Sequence, residues 1–288
     1  AQVRVLDNLS TGRAENLDPI RERIEFIQAD LLDDGARARA VEGVDVVFHE
    51  AAIPSVPRSV AHPVECHLNG AHATLLLLES ARQAGVRRLV FAASSSAYGE
   101  QDLLPKNEAM RPEPISPYAA TKLACEHYLH AFARCYELDT VSLRYFNIFG
   151  PRQDPSSPYS GVIARFCRCF ADDRPVTIFG DGEQSRDFTY VANAVEANWL
   201  AATATERLGG EVFNVGCGER ITLNRMLETL NELTGQRRRA AYEPSRTGDV
   251  RHSQADLTRI RERLGYRPVV SFRDGLSKTW EWYKTTGG

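Results

Sequence analysis

The stretch SPYAATKLACEHY, residues 116–128, sets Tyr118 four residues ahead of Lys122. On a helix that spacing is about one turn, so both side chains share a face. A phenol is a poor base near neutrality, with an ordinary pKa near ~10. A neighbouring ammonium favours the phenolate, and the pair then becomes a device for moving a proton. Spacing alone does not separate that device from two ordinary helix neighbours. A second set of candidate groups, the hydroxyls of Ser94, Ser95 and Ser96, follows the apolar run RLVFAA. Ligands gather at the carboxyl ends of strands in open α/β sheets, and a serine there can hydrogen-bond a bound ligand. Loop capping is the other use of such serines. Asp7 in LDNLSTG and Asp30 in ADLLD each close a strand-like run. A carboxylate at the first place can hold both hydroxyls of an adenosine ribose, and one at the second can meet an adenine amino group. A 2′-phosphate would be repelled by Asp7, which tilts the choice to NAD. For both residues a simple turn role stays open.

These groups need a scaffold of alternating elements. The runs at 3–6, 24–27, 44–48, 88–94 and 140–146 are β-rich, and several are apolar on both faces, as a helix-covered parallel sheet requires. Helical patterns fill 35–42, 63–84 and 117–136, with Ser116 as cap and Pro117 in the first turn of the last. This alternation predicts a doubly wound α/β fold. After Gly150 the pattern changes to frequent Pro and Gly, with a turn in FGDGEQSRDF, and EVFNVG at 211–216 reads as a strand returning to the main sheet. The expected division is an NAD-binding domain over 1–150, to which 186–216 returns, and a mainly substrate-binding region over 151–185 and 217–288. A dinucleotide fold also needs a glycine-rich turn about 20 positions before the acidic residue. Asp7 has only six residues before it. The first strand and its Gly-rich turn are therefore expected to be absent from this chain.

Composition narrows the function classes. The chain has 288 residues, 43% hydrophobic content and a formal net charge of −3. Without a basic excess, nucleic acid is not an expected partner. No apolar run reaches the ~18 residues of a membrane span, and no signal-peptide pattern is visible. The six cysteines are scattered and lack a zinc-type spacing, which reads as free thiols in a reducing cytoplasm with no metal site.

The motifs LDNLSTG, HEAAIPSVPRSV, AASSSAYGE, SPYAATK, RYFNIFGPRQ, GDGEQSRDFTYV, FNVGCGE and GDVRHSQAD run in this order from Leu6 to Asp256. In them the chain resembles the extended short-chain dehydrogenase/reductases, and among these the NAD-dependent nucleotide-sugar 4-epimerases acting on UDP-glucose or UDP-N-acetylglucosamine. The resemblance implies a Rossmann-type sheet with a smaller carboxy-terminal substrate domain. It implies oxidation of the sugar at C4 to a 4-keto intermediate, then reduction on the other face. Tyr118 would be the base, supported by Lys122, with Ser95 favoured over Ser94 and Ser96 for the sugar 4-oxygen. Asp7, Asn8, Ser10, Thr11, Gly12, Asp30, Leu31, Ala51, Ala52, Pro54, Asn69, Tyr145 and Phe146 would line NAD along with Tyr118 and Lys122. Asn147, Val162, Ile163, Arg186, Arg246 and Asp249 would hold the UDP part, and Ser253 would lie beside the sugar C2 substituent. Glu50 departs from the resembling pattern and is expected to bury a charge near the cofactor. The helices at 63–84 and 117–136, with Leu75, Leu76, Leu77, Leu78, Leu123 and Tyr128 on more than one face, suggest a homodimer. The rivals are a UDP-glucuronate 4-epimerase, a dehydratase or decarboxylase on the same scaffold, and a non-catalytic NAD sensor. SSSAYG lacks the carboxylate that a dehydratase or decarboxylase would place there, and a sensor would have no need of Tyr118 and Lys122.

Overall fold

The structure, a computed structural model, describes residues 1–153, 161–245 and 251–285. Strand β1 (Val3–Asp7) pairs in parallel with β2 (Ile24–Gln28). Helix α1 (Asp34–Val41) follows, its first turn closed by Asp33, whose carboxylate accepts from Ala36 N at 2.7 Å. After β3 (Val46–His49) come α2 (Val56–Ala61), α3 (Pro63–His67), one π-type turn (Leu68–His72) and α4 (Ala73–Gln83). The next unit of chemistry is β4 (Arg88–Ser94), a short turn (Ser95–Tyr98), then α5 (Pro117–Cys135) and β5 (Asp139–Tyr145). Beyond it lie β6 (Ile148–Phe149), α6 (Val162–Ala171), β7 (Val176–Phe179), β8 (Ser185–Arg186), β9 (Thr189–Tyr190) and α7 (Val191–Thr203). The chain closes with β10 (Glu211–Val215), β11 (Ile221–Thr222), α8 (Leu223–Thr234), β12 (Ala240–Glu243), α9 (Thr258–Leu264) and α10 (Phe272–Thr285).

The architecture is α/β with a parallel sheet. Strands run in the order β10-β5-β4-β3, so EVFNVG lies beside β5. The pair β1-β2 is a separate two-stranded sheet, and both β1 and β3 are edge strands, with Val3 and Phe48 exposed. Two compact units are defined by internal contacts: 1–97, 114–143 and 201–212 form the first, and 98–113, 144–200 and 213–288 form the second.

In the first unit the core lies between helices and sheet, with Leu77, Leu78, Ala81, Leu89, Phe91, Cys125 and Leu129 packed together. The leucine run at 75–78 is thus largely consumed inside the chain. Leu77 and Leu78 are buried, and Leu75 packs against the same core. A buried ion pair braces this unit. Arg88 Nε donates to Asp139 at 2.7 Å, and its other nitrogens donate to the carbonyls of Ala201, Ala204 and Glu206. Asp139 also accepts from the N–H groups of Leu208 and Gly209. Every charge-bearing atom of the pair is engaged, which is what makes a buried pair tolerable. In the second unit aromatics dominate the core, with Phe149, Phe166, Phe170, Phe188, Tyr190 and Trp280 all buried. Phe149 meets Phe188 edge-on at 6.4 Å.

The π-type turn brings Gly70 against α5. A Cβ added there would overlap the Thr121 Cγ2 methyl, while the next atom, Thr121 Cβ, is at an ordinary 3.6 Å. Gly70→Ala should therefore destabilise the protein by about 1–3 kcal/mol, the usual range for overpacking. Adding Thr121→Ser, which deletes the one offending methyl, should recover most of the loss in urea unfolding. Equal losses in both backgrounds would show that the close approach is not the constraint.

Candidate active site

Tyr118 occupies the first turn of α5. Ser116 caps that helix, its Oγ accepting from Ala119 N at 3.2 Å, and Pro117 takes the first helical position. One turn on, Lys122 is 6% exposed. Its Nζ donates to Ala92 O on β4 at 2.6 Å and sits 4.7 Å from the centre of the Phe91 ring. No carboxylate pairs with it among the described residues. Tyr118 and Lys122 line one small cavity together with Ala51, Ala52, Ile53, Cys66, Gly70, Thr74, Phe91, Thr121 and Cys125. The Tyr118 hydroxyl has no partner among the described residues.

Behind Lys122 lies a buried polar chain. His49 Nε2 is 2.9 Å from Thr74 Oγ1, which also accepts from Cys125 Sγ at 3.3 Å. Burial, with the Lys122 charge second, drives the His49 imidazole down to about 3, so it is neutral beside the ammonium. Burial likewise pushes the Cys125 thiol up. Of the serines that end β4, Ser96 Oγ donates to Ser94 Oγ at 2.8 Å. The Ser95 hydroxyl is left without a partner among the described residues, which separates it from its two neighbours.

The turn after β1 holds the other acidic candidates. Asp7 Oδ1 accepts from Leu9 N at 2.6 Å, and Asp7 is exposed with Oδ2 unengaged among the described residues. Asn8 bridges the two strand ends, its Nδ2 donating to Asp30 Oδ2 at 2.8 Å and its Oδ1 accepting from Ser10 N. Gly12 lies against this carboxylate: a Cβ there would be 3.6 Å from Asp7 Oδ1. Ser10 and Thr11 are exposed on the same turn. The Leu31 carbonyl accepts from Arg37, and Asn69, on the π-type turn, donates to Glu65 O at 3.0 Å.

The second unit contains a cleft of about 440 Å3. Asn147, Val162, Ile163 and Arg186 all line it. Asn147 has φ 33°, in the left-handed region that asparagine tolerates better than most residues. Residues not anticipated from the sequence complete the lining, among them Phe149, Arg165, Thr177, Phe179 and Gln184. A signal for two of them was present: Thr177 and Phe179 alternate on β7 with the fully buried Val176 and Ile178.

Other expectations need correction or fall elsewhere. Glu50 is exposed rather than buried. β3 ends at His49, whose ring points inward, and the following residue alternates to the outside. Phe146 is 0% exposed, its ring 6.2 Å from that of Tyr98, so it offers no side-chain surface to a cofactor. Tyr145 Oη accepts from Asn198 at 2.5 Å. Ala51 lines the cavity with Tyr118, but Pro54 does not. Ser253 N donates to Ser185 O at 3.1 Å and lies outside the cleft lining. Arg246 and Asp249 lie outside the described residues.

The profile of the NAD dependent epimerase/dehydratase family matches residues 1–216. The chain belongs to this family. It is 38% identical over 283 residues to a UDP-glucose 4-epimerase of Mycolicibacterium smegmatis, covering 97% of this chain and 90% of that one. A UDP-N-acetylglucosamine 4-epimerase from Methanobrevibacter ruminantium M1, solved with UDP-N-acetylmuramic acid, superposes with a TM-score of 0.95 at 38% identity, over 99% of this chain and 91% of that one. A Thermus thermophilus UDP-glucose 4-epimerase in complex with NAD gives 0.89 at 37% identity, over 99% and 92%. These relatives are isomerases, and this family member is an NAD-dependent enzyme with a Rossmann-type fold.

The donor and acceptor set fits that cofactor. Asp7 has a free carboxylate oxygen for a ribose diol, and the Lys122 ammonium spends one donor on Ala92 O and keeps two. Among the described residues no helix is long and apolar enough to cross a membrane, and no group of side chains could hold a metal ion.

The neutral state of His49 has a consequence for stability. Its folded value, about 3, lies below the ordinary 6.5. The unfolded chain therefore takes up this proton first, and stability is lost as pH falls from 6.5 towards 3, by at most about 1.4 kcal/mol per pH unit. Wild type should lose stability relative to His49→Gln on acidification from pH 6.5 to 4.5, measured by urea unfolding at each pH. Parallel curves would contradict the assignment of a buried neutral imidazole.

Proposed function

We propose that the protein inverts C4 of a UDP-hexose, interconverting UDP-glucose with UDP-galactose and UDP-N-acetylglucosamine with UDP-N-acetylgalactosamine. One observation carries the reading: Tyr118 and Lys122, a turn apart, face one cavity, and the buried ammonium has a backbone carbonyl but, among the described residues, no carboxylate to answer its charge. NAD, when bound, supplies the hydride chemistry at C4. Tyr118 Oη takes the proton of the 4-hydroxyl and later returns it. Ser95, the unengaged serine at the end of β4, donates to the 4-oxygen.

Asp7 holds the adenosine ribose, with Asn8, Ser10, Thr11 and Gly12 forming the turn around it and Asp30 and Leu31 towards the adenine. Ala51, Ala52, Pro54 and Asn69 flank the cofactor, with Tyr145 beside the nicotinamide. Asn147, Arg186 and Arg246 answer the diphosphate, where a guanidinium fork suits phosphate oxygens. Val162 and Ile163 serve the uracil side and Asp249 a ribose hydroxyl. In this division residues 1–150, with 186–216, serve NAD, and 151–185 and 217–288 mainly the UDP-sugar.

Two further features belong to the same reading. The first is a homodimer. Support for it shifts from the leucine run to Val60, Val64 and Leu68, which recur every four residues and are all exposed, and to Tyr128 on α5, which is exposed as well. The second is a cytoplasmic setting, which suits six free cysteines. A dehydratase or decarboxylase reading lacks support, because the turn Ser95–Tyr98 carries no acid.

Tyr118→Phe should lower turnover of UDP-glucose by about 100-fold or more, the usual worth of a general acid–base, while calorimetric binding of UDP-glucose stays within a few-fold. Near-normal turnover would sink the reading. For breadth, Ser253 is small, so it does not exclude an N-acetyl group. Wild type should turn over both substrate pairs, and Ser253→Tyr should lose the acetylated pair first, by at least the roughly 10–200-fold that small steric differences produce. Preferential turnover of UDP-glucuronate in the same assay would move the substrate to the uronate.

A further inference from the structure

The backbone N–H of Tyr118 is met by a hydroxyl far away in sequence. A helix begins with N–H groups that have no partner inside it. In α5 each is accounted for: Pro117 has none, Ala119 N donates to Ser116 Oγ, and Ala120 N donates to Ser116 O at 2.9 Å. The remaining donor is the N–H of Tyr118 itself. It donates to Ser59 Oγ at 3.1 Å, across 59 positions of sequence.

Ser59 is built for this task. It lies in α2 and is 1% exposed. Its hydroxyl proton goes to Val56 O at 2.7 Å, so an oxygen lone pair is turned towards Tyr118. The surrounding helix is held by a cap and an ion pair. Ser55 Oγ accepts from Arg58 N at 3.0 Å, and Arg58 reaches Glu65 on α3 through two bonds of 2.5 and 3.1 Å. Both α2 and α3 pack against α5. Lys122 is fixed independently, by Ala92 O on β4. The backbone of Tyr118 and the Lys122 ammonium are thus held by separate anchors on separate elements, Ser59 on α2 and Ala92 O on β4.

We propose that Ser59 is a positioning residue for catalysis, acting through the backbone of Tyr118. The inference rests on Tyr118 being the proton acceptor. Without the Ser59 hydroxyl, the first turn of α5 keeps its Ser116 cap but loses the bond at the reactive residue. The phenol then drifts relative to Lys122 and to the substrate hydroxyl, while the rest of α5 stays in place. Misplacement by about 1 Å is enough to cost on the order of 100-fold in rate. A purely stabilising cap would act differently: it would lower the unfolding midpoint without changing turnover by folded enzyme.

The test uses the whole protein with NAD and UDP-glucose. Ser59→Ala should lower kcat about 10- to 100-fold with KM within about twofold. Thr140→Val is the control, because the Thr140 hydroxyl donates to Leu129 O at 2.7 Å and anchors the far part of the same helix. It should lower the unfolding midpoint similarly and leave kcat unchanged. Ser59→Cys keeps a weak acceptor in a side chain of similar size and should fall between wild type and Ser59→Ala. It also serves if the alanine variant does not fold.

A double-mutant comparison separates the mechanisms. In the Tyr118→Phe background, Ser59→Ala should have little further effect on the residual rate. Equal losses in both backgrounds, or a kcat loss matched by Thr140→Val, would overturn the proposal. If Tyr118→Phe itself keeps near-normal turnover, the reading of the site fails. If Tyr118→Phe is inactive while Ser59→Ala turns over normally, only this inference fails.

Discussion

The bond from Lys122 Nζ to Ala92 O is the constraint on which the first unit depends. An ammonium that is 6% exposed is expensive unless its donors and charge are answered. Here a carbonyl at the end of β4 answers one donor, and the face of Phe91 answers part of the charge. The bond therefore ties the second turn of α5 to the strand that leads directly into Ser94, Ser95 and Ser96. A helix fixed at that height needs close neighbours, which is why Gly70 leaves no room for a Cβ beneath Thr121. The imidazole behind it is kept neutral first by burial and second by the Lys122 charge. A second buried cation next to Lys122 would raise the electrostatic cost further.

The same logic of answered polar groups recurs at two further buried sites. Arg88 and Asp139 would be a liability if only paired with each other. The carbonyls of Ala201, Ala204 and Glu206 and the amides of Leu208 and Gly209 take up the remaining donors and acceptors. In the second unit Asp187 is 0% exposed and accepts from the N–H groups of Cys217, Gly218 and Ala255. Burial still pushes it up to about 6. Asp187 directly follows Arg186, so this bonded carboxylate fixes the backbone next to a residue lining the cleft.

Much of this was legible in the sequence. RLVFAAS became β4 residue for residue, because its centre is an uninterrupted apolar run, and TVSLRYF became β5 on its β-rich Thr, Val and Tyr although Thr140, Ser142 and Arg144 are buried too. Tyr118 and Lys122 were legible because helical spacing is local. The helix pattern at 63–84 concealed the π-type turn at Leu68–His72, since one extra residue in a turn leaves the composition unchanged. The helix α2 was hidden by Pro57, which reads as a breaker yet sits harmlessly in a first turn. Ser59 left no local signal at all, because its partner is 59 positions away. Glu50 was misjudged from the resembling pattern: alternation past the end of β3 sets its exposure.

The central claim is that Tyr118 moves only the hydroxyl proton while NAD carries the hydrogen of C4, so that hydrogen never meets water. Turnover of UDP-glucose carrying deuterium at C4, run in ordinary water to equilibrium with UDP-galactose and followed by NMR and mass spectrometry, tests this directly. The account predicts that the deuterium remains at C4 in both sugars. Its replacement by protium from water would contradict the account.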